Sequence, residues 1–99
     1  MEKIDYYITI TRITNWLDKK GIQYEKRPLH GGWQLRFDWC DGDVICHPYS
    51  IQSDNGMVET MGFPWDEETQ VTAWFPDEVS YKITKLYNKI SRKIIKEKI

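Results

Sequence analysis

Between Phe37 and Tyr81 the chain has no Lys and no Arg. The same 45 residues hold ten carboxylates: Asp38, Asp41, Asp43, Asp54, Glu59, Asp66, Glu67, Glu68, Asp77 and Glu78. The flanks are opposite in character. Residues 1–36 carry seven cations against four acids, and residues 82–99 carry seven against one. The overall charge of −1 therefore hides a strong segregation. Fields follow the distribution of charge, so an acidic centre between basic flanks is expected to steer toward basic partners.

Other absences narrow the class of protein. No run of about 18 apolar residues exists, which argues against a transmembrane helix. The start, Met1-Glu2-Lys3-Ile4-Asp5, lacks a basic stretch followed by an apolar one, the mark of a secretory leader. Only two cysteines occur. Free thiols in a cytoplasmic protein are the expectation from these features. There is no internal repeat, linker or low-complexity segment, so residues 1–99 are expected to form a single domain.

Motifs of catalysis are missing too. No phosphate-binding Gly-rich loop, serine elbow or HExxH is present. Cys40 and Cys46-His47 have C-x5-C-H spacing, which is not the tight cysteine pair of a structural zinc site. Asp38, Asp41 and Asp43 surround one turn, but the twelve-residue calcium loop with its closing Glu is absent. Nothing singles out two of the ten acids as a hydrolytic pair. The chain is expected to be no enzyme and to need no metal or cofactor.

What is present is aromatic: five Trp, six Tyr and three Phe. Such side chains bury large apolar areas and can supply much of a small core. Ile10, Ile13 and Leu17 recur at helical spacing, and Lys19-Lys20-Gly21 is a good helix ending. Residues 4–10 also alternate like a strand. A helix over Asp5–Lys20 is expected, with Thr9 or Thr11 as a candidate N-cap. Ile22–Arg27 reads as a strand and Pro28–Gly32 as a connection.

Trp33, Leu35, Phe37 and Trp39 alternate with polar residues, giving a strand with one apolar face. Asp41-Gly42 then predicts a two-residue type I′ hairpin. Its register would pair Cys40 with Asp43, Trp39 with Val44, Phe37 with Cys46 and Arg36 with His47. Val44 and Cys46 would join the core, and His47 would lie exposed beside Arg36. Asn55-Gly56 suggests a second hairpin into Met57–Met61. Gly62–Thr69 reads as a loop, and Gln70–Trp74 is short and β-prone.

The last helix opens at Pro76-Asp77-Glu78, where proline and acids suit a first turn. Val79, Ile83, Leu86, Ile90 and Ile94 form its apolar stripe. The fold class is α+β: an N-terminal helix, an antiparallel β-meander of three to five strands and a long C-terminal helix. The helices pack on one sheet face. The order of elements resembles double-stranded-RNA-binding and HicA-like toxin folds in topology alone.

The candidate binding face is Asp38, Asp41, Asp43, Trp65, Asp66, Glu67 and Glu68, with Trp65 as the aromatic anchor. It suggests a small binding protein that contacts a basic, nucleic-acid-binding partner, as an inhibitor or immunity-type protein would. The other reading is a nucleic-acid-binding domain that uses the Lys-rich C-terminal helix. No membrane contact is expected. Ile45 and Tyr49, on the sheet face without helices, offer a route to a homodimer.

Overall fold

The computed structural model of the chain describes residues 6–66 and 72–98. Helix α1 spans Tyr6–Lys20, followed by strands β1 (Glu25–Leu29), β2 (Gly32–Arg36), β3 (Asp43–Cys46), β4 (Val58–Met61) and β5 (Thr72–Trp74). Helix α2 closes the chain at Pro76–Lys98. The five strands form one antiparallel meander in sequence order. This is the α+β architecture expected, with the C-terminal helix packed on the sheet.

Residues Thr9, Ile10, Ile13, Thr14 and Leu17 turn one face of α1 inward. Thr9 and Thr11 therefore lie within the helix and do not cap it. The helix closes where Gly21 and Ile22 donate their N–H groups to the carbonyls of Asp18 and Leu17. On α2, Val79 and Ile83 are fully buried. Glu78 accepts the Phe75 N–H at 3.2 Å, so an acid at the helix start satisfies an otherwise orphan donor. Trp16 donates to Thr84 at 2.8 Å, and Ile8, Thr9 and Arg12 line one cleft with Phe75, Pro76 and Asp77. The helices thus start at the same end of the sheet and run parallel.

The first hairpin differs from expectation. Its two-residue turn is His30-Gly31, both residues in the left-handed region at φ 50° and 84°. That is the type I′ geometry, which glycine accepts without strain. Pro28 falls inside β1, where it pairs with Trp33. This is tolerated because β1 is an edge strand.

The Asp41-Gly42 expectation is corrected. Asp43 pairs with Arg36 and Cys46 with Trp33, four residues away from the expected register. Residues 37–42 form a loop. The shift is even, so Val44 and Cys46 still face inward beside Leu35, and all three are fully buried. His47 is buried as well and does not lie exposed beside Arg36. Between β3 and β4 the connection 47–57 carries a short 3-10 turn at Ser53–Asn55. It replaces the tight Asn55-Gly56 hairpin. Val71 and Gln70, part of the β-prone stretch, lie outside the described residues.

Candidate interaction surface

The loop 37–42 and the turn 62–66 meet at one end of the sheet. The register makes them neighbours, because Asp43 at the start of β3 pairs with Met61 at the end of β4. Gly42 lies so close to the Phe63 ring that a Cβ there would collide with it. Gly62 lies against the Asp41 carbonyl.

Aromatic rings continue the contact. Trp65 stacks on Phe63 at 4.3 Å with an 8° interplanar angle. Phe63 meets Phe37 edge-on at 5.9 Å. Phe37 meets Trp39 at 5.2 Å, and Trp39 meets Tyr87 of α2 at 5.2 Å. Five rings in series therefore tie the turn to the loop and the loop to the helix. The Trp39 indole also donates to the Gln23 carbonyl at 3.1 Å. Each such pair adds about 0.5–1.5 kcal/mol beyond its burial.

The predicted acids divide into three groups on this scaffold. Asp38, Asp41 and Asp43 come together. They line one shallow depression of about 410 Å³, with Gln34, Arg36 and Cys40 among its other walls. Asp38 and Asp41 are exposed, while Asp43 accepts from the Gln34 amide at 2.8 Å. Asp66 is committed to its own turn, where its carboxylate accepts the Thr60 hydroxyl at 2.8 Å and the Phe63 N–H at 3.2 Å. Glu67 and Glu68 lie outside the described residues.

Trp65 is half-buried. Its indole N–H points to the Thr60 hydroxyl at 3.4 Å, and Trp74 donates to the same oxygen at 3.1 Å. The Lys82 ammonium lies 4.4 Å from the Trp74 ring and 5.5 Å from that of Trp65. Thr60 is thus a part of the site that the sequence reading missed. Thr60 gave no signal, being one threonine in a strand. Phe63 stood beside Trp65 in the sequence, but only the fold shows it against Gly42. Arg36 was missed as well. It adds a cation to the wall of the acidic depression.

Thiols and imidazoles occupy separate regions. Burial raises the Cys46 thiol to about 11, partly offset by a hydrogen bond from Thr9. The Cys40 thiol is also raised, first by burial and further by the Asp41 charge, against a lowering contact from the Gly42 backbone. Cys40 belongs to the 37–42 end, and His47 follows β3 at the other end. There His47 meets His30 edge-on at 5.4 Å, and its Nδ1 accepts the Tyr49 N–H at 3.0 Å.

Beyond the body, α2 is basic. Trp16 sits beside Thr84 and α1 ends four residues later, so the last ten residues of α2 run past it for about 15 Å at the usual rise. The molecule measures 57 × 31 × 20 Å. Lys85, Asn88, Lys89, Arg92 and Lys93 line a concavity of about 560 Å³ on this helix. No described helix is long and apolar enough to cross a membrane.

Comparison with protein families, curated protein sequences and solved structures finds no match to this chain.

Proposed function

We propose that this protein is a small non-catalytic binding protein whose acidic, Trp-bearing end engages a basic partner. One observation carries the reading. Asp38 and Asp41, on a loop that five aromatic rings hold in place, line a single depression with Asp43 at the start of β3. A surface fixed before contact loses little conformational freedom on binding. Exposed carboxylates on it raise the rate of encounter with a cationic surface. Trp65 beside them supplies an aromatic anchor of the kind that dominates interface energies.

The chemistry of the partner follows from the charge. A groove built for nucleic-acid phosphates is lined with Lys and Arg. Clustered carboxylates on a rigid rim compete for such a groove. The reading is therefore of an inhibitor or immunity-type protein for a basic, nucleic-acid-binding protein. Asp66 supports it indirectly, by holding the turn that presents Trp65.

Affinity capture from the source cells, washed at low and high salt, tests this. A basic protein held at low salt and released at high salt is the expected result. Recovery of nucleic acid without such a protein would move the site to α2 and sink the reading.

A further inference from the structure

The apolar stripe of α2 does not end with the body it covers. Val79 and Ile83 are fully buried, Leu86 and Ile90 are partly covered, and Ile94 is 48% exposed. Lys85, Lys89, Arg92 and Lys93 flank that stripe and are exposed. This projecting segment leaves from the same end as the acidic loop, because Tyr87 packs on Trp39. Among the described residues, Arg27–Glu25 is the one side-chain ion pair. The cations of the projecting helix and the acids of the loop thus do not neutralise each other among the described residues.

We propose that a second copy of this chain covers the projecting stripe, with the two α2 helices antiparallel. Pairing them about the midpoint of Ile90 and Ile94 buries both isoleucines of each copy against those of the other. It also brings the last turn of one helix level with Tyr87 of the other. That turn arrives at the second copy's loop 37–42. That helix end, with four cations against one acid over residues 92–98, then meets Asp38 and Asp41. The contact is isologous: each copy gives a basic helix end and receives one at its acidic end. The charge of the helix ends and the apolar burial favour this arrangement, against repulsion among the Lys89, Arg92 and Lys93 side chains that flank the seam. The sheet face without helices is a poorer candidate, since it carries Glu25, Arg27, Arg36 and Asp43 around Ile45. The dimer does not rest on the existence of a basic partner, and the purified chain alone tests it; a basic partner would displace the helix end from Asp38 and Asp41, because both use the same acids.

The test is the mass of the full chain in solution, by light scattering after size exclusion, from low-micromolar to submillimolar concentration. The expected mass is twice the 11.9 kDa of one chain. Ile94→Asp, at an exposed position, should weaken dimerisation by roughly tenfold or more while the circular dichroism spectrum is retained. Asp38→Lys with Asp41→Lys, and separately Lys93→Glu with Lys96→Glu, should each weaken it. The four changes together should restore it. A monomer mass at every concentration overturns the proposal. So does a dimer indifferent to Ile94→Asp, or one that the combined charge swap fails to restore.

Discussion

The Thr60 hydroxyl donates to the Asp66 carboxylate at 2.8 Å while it receives the indole N–H of Trp74 at 3.1 Å. Thr60 is fully buried. One oxygen in β4 thus connects the turn that presents Trp65 with β5 on the next strand. Replacing Thr60 by Val keeps the shape and removes the hydrogen bonds. Buried donors and acceptors left unpaired cost about 1–3 kcal/mol. Urea unfolding should show a loss of about 2 kcal/mol, with altered Trp fluorescence. An unchanged midpoint would mean that this node does not hold the turn.

Gly42 serves close packing and does not take a left-handed conformation. A methyl group at this position meets the Phe63 ring. Gly42→Ala should therefore push Phe63 away and break its stack with Trp65. Overpacking of this kind costs about 1–3 kcal/mol. The fold should survive, with Trp65 more accessible to a fluorescence quencher. Quenching equal to that of the wild type would refute the role given to Phe63.

His47 makes stability depend on pH. Burial lowers its pKa below the ordinary 6.5, and the nearby His30 lowers it further, while Glu59 opposes both. The unfolded chain therefore takes up this proton at a higher pH than the folded one. The stabilisation is present above about 6.5 and is lost as pH falls below that value. Protonation would also cost Nδ1 its bond from the Tyr49 N–H. Denaturant midpoints should fall as the pH drops from neutral toward 5. His30→Asn removes the neighbouring charge and suits the left-handed turn, so it should lessen the fall. An identical pH profile in that variant would contradict the coupling.

The two thiols should differ in reactivity. The thiolate is the nucleophile, and burial holds Cys46 protonated with a pKa of about 11. Cys40 is half-buried in the loop. At pH 8 a disulfide exchange reagent should label Cys40 slowly and leave Cys46 intact in the native state. Denaturant should release both. Rapid labelling of two thiols in native protein would show that the core around Cys46 opens readily.

The two helices and the central strand were legible because each carries a period: 3.6 in the helices, and alternation from Trp33 to Arg36. The core faces were legible for a related reason. A register error of an even number of residues leaves every side chain on its own face, so Val44 and Cys46 were placed inward despite the shift. The register itself was not legible. Phe37 and Trp39 continue the alternation, yet they leave the sheet to pack on Phe63 and Tyr87, and no local pattern reveals that. Asp41-Gly42 has the composition of a tight turn, but its glycine answers a distant ring. His30-Gly31 makes the real turn, and histidine is a weak signal for a left-handed residue. In the site, the acidic stretch could be read directly. That Asp66 serves its own turn while Asp38 and Asp41 stay exposed depends on Thr60 and Phe63, which only the fold brings near.

The measurement that bears most directly on the acidic end is capture from the source cells with wild-type protein beside the Asp38→Lys, Asp41→Lys variant. Both side chains are exposed, so the fold should persist. A basic protein recovered by the wild type and lost with the variant is the predicted result. The same protein recovered equally by both would contradict the account and leave these acids as turn residues alone.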